Sequence, residues 1–220
     1  EDEATQYRQG GGVHRFKTVV SGSADATISW TTNMMIDINS RISLSNNDGN
    51  TGNTVFGYRA LTNAGTVLEN VGADYNTAVG HLAIGTGTTT TAVQNTSVGY
   101  RALTDLTIGN GNNAFGYDAL TNITKGRYNI GVGANALYSE TVGDGSIAIG
   151  EGAGYTQVSG SDNLGIGNIY VGLGAGYYNA TGANNTILGY NSGNRTTGAD
   201  NTYVGFSAGK GAAGAEANNV

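Results

Sequence analysis

Few residues in this sequence have the types and spacing that catalysis needs. A Ser-His-Asp set requires a histidine, and there are two, His14 and His81. His81 falls where five other copies of an internal repeat carry Tyr or Phe, so it is expected to pack rather than to shuttle protons. His14 opens a strand-like run beside Arg15, and a structural role is expected there too. Glycoside hydrolysis needs two carboxylates about 5–10 Å apart. The acids within the repetitive region are Glu69, Glu140, Glu151, Asp74, Asp105, Asp118, Asp144, Asp162 and Asp200, mostly at positions expected in loops or facing outward. Trimer symmetry can bring carboxylates together from different chains, which leaves a polysaccharide-cleaving activity open. No cysteine is present, so thiolate metal sites and disulfides are excluded, and three or four zinc ligands cannot be assembled from the remaining candidates. The stretch NNDGNTGN, residues 46–53, is oxygen-rich but lacks the alternating ligands and distal Glu of a calcium loop, and reads as turn chemistry. GIGNIYVGLGAG, residues 165–176, is not followed by a helix-forming run and so does not read as a phosphate cradle. No catalytic residue, cofactor or metal is expected. Tyr138, Tyr155, Tyr177 and Tyr178 lie among Asn and Thr, a mixture that can stack on and hydrogen-bond to a glycan, although turn packing explains them as well.

Composition narrows the classes further. Gly supplies 38 of 220 residues and Asn 26, and Pro is absent. A chain without Pro can sustain uninterrupted β-ladders, because every residue keeps its donor. The net charge of −6, spread over 12% charged residues, disfavours nucleic acid, which requires clustered Lys and Arg. No apolar run approaches the ~20 residues of a membrane-spanning helix. The chain does not begin with Met and reads as a processed or excised piece of something longer.

What must position these residues is a repeat. Its nine-residue core reads Asn, often Thr, any residue, a bulky apolar residue, Gly, often an aromatic, any residue, Ala, then Leu or Gly. Examples are NTVFGYRAL from Asn53, NNAFGYDAL from Asn112 and NTYVGFSAG from Asn201. The leading residue is Asn53, Asn76, Asn95, Asn112, Asn129, Asn168, Asn185 or Asn201, with Ser146 in the remaining copy. The central glycines are Gly57, Gly80, Gly99, Gly116, Gly133, Gly150, Gly172, Gly189 and Gly205, spaced by 23, 19, 17, 17, 17, 22, 17 and 16 residues. A partial copy, NLGIG from Asn163, lies in the 22-residue interval. A period near 17 with insertions confined between cores predicts an all-β, solenoid-like or β-roll-like stack. Each glycine is expected where the backbone bends, takes positive φ or approaches another backbone closely. Each Asn suits a turn, and stacked asparagines can bond as a ladder. The bulky residue before Gly, the residue after it and the Ala two further on share a period of two, which predicts a common face. That thin layer is expected to need other chains to close it, so an intertwined homotrimer is predicted.

The NTxxGYxAL and NTxxGxxAG copies resemble the repeats of bacteriophage tail-fibre shafts, many of which end in an endosialidase-type intramolecular chaperone. The segment MMIDINSRISLSNNDGNTGNTVFG, residues 34–57, is similar to the junction that introduces such repeats. A more distant resemblance is to the heads of trimeric autotransporter adhesins. The likeness spans roughly residues 13–209; after Gly209 only KGAAGAEANNV follows, without the chaperone domain. The resemblance implies a homotrimeric fibre segment of a virion, joined to other fibre or baseplate proteins, contributing to host attachment through a surface glycan, without membrane insertion. A bacterial surface adhesin or extracellular filament is the alternative, and a polysaccharide-degrading tailspike a third reading. The expected organisation is a leader at 1–12, a small β cap at 13–50, nine repeats at 51–209 and a tail at 210–220.

Overall fold

The structure, a computed structural model, describes residues 4–10, 13–19, 31–36, 42–44, 52–61, 72–85, 91–158 and 167–210. The expected strand at residues 26–30, the oxygen-rich stretch as far as residue 51, Glu69, Asp162, most of the partial copy at Asn163 and the tail from residue 211 lie outside the described residues. The chain divides into two compact units, Glu1–Asn50 and Thr51–Val220.

The first unit is an antiparallel meander of β1 (Ala4–Gly10), β2 (Val13–Val19), β3 (Thr31–Ile36) and β4 (Ile42–Leu44). Part of the expected leader is therefore a strand. Tyr7 and Phe16 are directly opposite across β1 and β2, with ring centroids 5.3 Å apart. Such a cross-strand aromatic pair helps fix register. His14 pairs in register with Gln9 on one side and Ile36 on the other.

The second unit is the predicted stack. Nine three-residue strands form one parallel sheet in sequence order: β5 (Thr54–Phe56), β6 (Thr77–Val79), β7 (Thr96–Val98), β8 (Asn113–Phe115), β9 (Ile130–Val132), β10 (Ile147–Ile149), β11 (Ile169–Val171), β12 (Thr186–Leu188) and β13 (Thr202–Val204). Each strand lies over the same three positions of the next copy, as in Asn113, Ala114 and Phe115 over Ile130, Gly131 and Val132. Every strand ends at a central glycine, where φ lies between 125° and 142°. The glycine backbones also pass close to one another. A methyl group on Gly133 would come within 2.7 Å of the carbonyl carbon of Gly150. Gly is therefore required twice over, by conformation and by space.

The turn after each glycine overturns the period-two expectation. The bulky residue before Gly and the residue after it both point outward, as Phe115 and Tyr117 do, while the Ala is buried, as Ala119 is. The period breaks because the positive-φ glycine ends the strand, so alternation cannot continue through it. The strand residue that faces inward is the middle one: Ala78, Ser97, Ala114, Ala148, Tyr170 and Ile187 are fully buried. The residues two and four after Gly take positive φ in every copy, including Asp118 at 53° and Leu120 at 52°. A left-handed conformation costs an L-residue roughly 1–2 kcal/mol. Here it is offset by hydrogen bonds to both neighbouring coils: the Asp118 amide donates to the Tyr100 carbonyl and the Leu120 amide to the Ala136 carbonyl, both at 2.9 Å.

The interior is closed by the chain's own turns. Ala83, Ile84, Leu103, Leu120, Leu137 and Ala175 have no exposed surface in a single chain. Neighbouring chains, expected to seal the inner layer, are therefore not needed to close this interior; the surplus apolar surface is on the outside.

Candidate functional site

The buried asparagines carry the ladder that their spacing predicts. Asn112 Oδ1 accepts from the Asn129 amide (3.0 Å) and from Asn129 Nδ2 (3.1 Å), and Asn112 Nδ2 donates to the Gly126 carbonyl (2.8 Å). The same pattern links Asn76 to Asn95, Asn95 to Asn112, and Asn168 to Asn185 to Asn201. Asn53 joins through its Oδ1, which accepts from the Asn76 amide at 2.7 Å. At Ser146 the side-chain ladder is bridged instead by Gln157, which donates to Ser146 Oγ (2.9 Å) and Glu140 Oε2 (2.8 Å) and accepts from Asn168 Nδ2 (3.0 Å). Glu140 Oε1 accepts three backbone amides of its own turn, from Thr141, Val142 and Gly143 at 2.9, 3.1 and 2.7 Å. This carboxylate is buried and engaged in structure. Asn179 Nδ2 donates to the Tyr170 hydroxyl at 2.8 Å, and burial pushes that phenol well above the usual tyrosine range.

Two aromatic columns run on the outside. The residue after each glycine gives the first: Tyr58, His81, Tyr100 and Tyr117 follow one another with centroids 5.2–5.4 Å apart. His81 is thus a ring in a stack, as its place in the repeat predicts. The column is interrupted at Ala134, Glu151 and Leu173 and resumes with Tyr190 over Phe206 at 5.4 Å. The second column starts beside that interruption, five residues after the glycine. Tyr138 stacks on Tyr155 at 5.1 Å and Tyr155 on Tyr177 at 4.8 Å, with interplanar angles of 4° and 5°. Tyr178 meets Tyr177 edge to face at 4.7 Å and 66°. Burial, then the neighbouring phenols Tyr155 and Tyr178, raise the pKa of Tyr177.

Between the two columns lies a groove of about 340 Å³, open to solvent. Its walls include Glu151, Leu173, Tyr155, Tyr177 and Tyr178, with the amides of Asn135, Asn191 and Asn194. Two glycines make the room. At the position two after the central glycine, where other copies carry Arg59, Arg101 or Asn135, these coils have Gly152 and Gly174. A methyl group on Gly152 would lie 2.9 Å from the Tyr177 ring, and one on Gly174 would lie 2.5 Å from Asn191 Oδ1. Three of the four tyrosines picked out as glycan contacts line this groove, and Tyr138 supports it from below as the end of the stack.

Among the described acids, Asp118, Asp144 and Asp200 are each held at a separate turn. Asp118, expected to face outward, is buried at its turn with Arg101 Nε 3.5 Å from Oδ1. Asp144 Oδ1 accepts from the Arg127 amide (2.6 Å) and Asp200 Oδ1 from Asn184 Nδ2 (3.1 Å). Among the described residues, no three His, Asp or Glu side chains stand close enough to hold a metal ion. No helix among them is long and apolar enough to cross a membrane.

Fold and surface together define a parallel β-solenoid with stacked outward aromatics and a tyrosine-lined groove. No protein-family model, curated protein or solved structure matches this chain. Sequence reading found the tyrosines but missed Glu151, Leu173, Asn191 and Asn194. Their signal is present once the copies are aligned on the glycine: the first column loses its rings in the same coils where the second gains them.

Proposed function

We propose that this chain is a segment of a homotrimeric attachment fibre, carried on a virion and joined to other fibre or baseplate proteins. The single observation behind the reading is surplus apolar surface on a rod whose interior is already full. The outward residue before the glycine is apolar in all nine copies, from Phe56 to Val204, without one charge. Phe56, Phe115, Ile149 and Val204 are well exposed, and outside the groove the adjacent column adds Tyr58, Tyr117 and Phe206. Eight coil steps at ~4.8 Å make this a stripe roughly 38 Å long. A continuous apolar stripe of that kind marks an association surface. Its regular repeat favours identical partners, because the same rows on another copy present the same spacing. The repeat resemblance to phage fibre shafts supports a threefold arrangement on a virion.

Sedimentation equilibrium tests the assembly. The expected mass is three times the 22.3 kDa of one chain. Ile149→Lys together with Phe115→Lys, both on the stripe, should dissociate it to folded single chains. A wild-type chain that stays folded and monomeric at micromolar concentration would remove the trimeric fibre from consideration.

A further inference from the structure

We infer that the groove beside Glu151 is a binding site for a neutral saccharide chain, placed part-way along the solenoid rather than at an end. The inference deepens the attachment reading by naming where a glycan sits and what kind it is.

The aromatic ladder stops here and nowhere else among the described coils before it resumes at Tyr190. A rod built only for stiffness gains from an unbroken stack. Instead the rings move to a neighbouring column, and the vacated positions hold a carboxylate, a leucine and two glycines. The volume of about 340 Å³ lies in the range of small-molecule sites.

The lining chemistry selects the ligand. Sugar hydroxyls both donate and accept. Glu151 offers acceptors, Asn191 offers an amide that donates and accepts, Asn194 adds its Oδ1 while its Nδ2 donates to the Gly174 carbonyl at 3.2 Å, and the phenols of Tyr155 and Tyr177 add hydroxyls. Tyr178 is 54% exposed, and its ring offers an apolar plane for the C–H face of a pyranose. No Lys or Arg lines the groove, and Glu151 would repel a carboxylate, so sialic acids and uronic acids are disfavoured. Within the groove the rings of Tyr155 and Tyr177 repeat one coil apart, with centroids 4.8 Å from each other, about the length of one pyranose residue. A linear chain lying along the solenoid axis can therefore repeat its tyrosine contact across these two coils.

The test uses the full chain in its native assembly, with tyrosine rings isotopically labelled and observed by NMR. Maltotriose, cellotriose and chitotriose serve as neutral probes and sialyllactose as the anionic comparator. Saturable shifts of groove tyrosines are expected with at least one neutral trisaccharide. Tyr178→Ala and Glu151→Gln should each weaken that binding at least tenfold. Both side chains are solvent-exposed, so sedimentation mass and circular dichroism should stay unchanged. Absence of saturable binding by every neutral probe would overturn the inference. So would wild-type affinity in both variants, or preference for sialyllactose. Because mass is read separately, failure here is distinguishable from failure of the trimer.

Discussion

At Gly116 the chain has φ of 142°, and a methyl group there would stand 2.7 Å from the carbonyl carbon of Gly133 in the next coil. Neither problem can be relieved locally, because Gly116 also donates its amide to the Val98 carbonyl at 2.9 Å and is held to the coil before it. Unfavourable φ costs of order 1–3 kcal/mol and overpacking a further 1–3. Gly116→Ala should therefore destabilise the solenoid by about 3 kcal/mol or more, read from the urea unfolding midpoint. An unchanged midpoint would mean that the glycines do not stack backbone to backbone. The requirement was legible in the sequence, since nine glycines at one repeat position already asked for positive φ or close approach. The asparagine ladder was legible for a similar reason: one polar residue type at a fixed place in stacked coils has itself as its nearest partner.

Most coils fill their interior in one of two ways; the coil of Ala148 and Gly154 is small at both places and is filled by Tyr170 and Leu137 of its neighbours. In the earlier coils the middle strand residue is small and the residue four after Gly is large, as with Ala114 and Leu120. In the later coils the sizes exchange: Tyr170 stands with Gly176, Ile187 with Gly193 and Tyr203 with Gly209. Each exchange is enforced by contact. A methyl group on Gly193 would meet Ile187 Cδ1 at 2.6 Å, and one on Gly176 would collide with the Tyr170 ring. Tyr170→Ala alone should cost about 3–5 kcal/mol through the cavity it leaves. Adding Gly176→Leu, which copies the Leu120 arrangement, should recover at least ~1 kcal/mol, within the coupling usual for residues in contact. Strictly additive losses in the double-mutant cycle would show that the two positions do not share one space. This exchange was visible in the sequence only as "Leu or Gly" at the last place of the repeat. That it compensates the middle strand residue could not be read there, because the turn that brings the two together passes through three left-handed residues, and strand periodicity does not extend across them. The same turn moved the bulky residue before Gly from the expected core to the surface. The groove was half legible: its tyrosines stood out by type, whereas Glu151 and Leu173 became meaningful only once the outward direction of their column was known.

The whole array rests on nine segments, separated by unequal intervals of 16–23 residues, lying directly above one another. The outward stripe, the ladder and the groove all inherit their spacing from that registration; without it they are unrelated residues. Exposed Gln94, Tyr128, Asn184 and Asp200 each stand five residues before a central glycine, and so at one height within their coils. Pairs of nitroxide labels at these positions, diluted with unlabelled chain so that distances are read within one molecule, measure the stacking by double electron–electron resonance. At ~4.8 Å per coil, Tyr128→Cys with Asp200→Cys should give a distance near 19 Å, Gln94→Cys with Asn184→Cys near 24 Å, and Gln94→Cys with Asp200→Cys near 29 Å. Distances that fail to rise in that order, or that depart clearly from ~4.8 Å per coil, would contradict the solenoid and everything built on it.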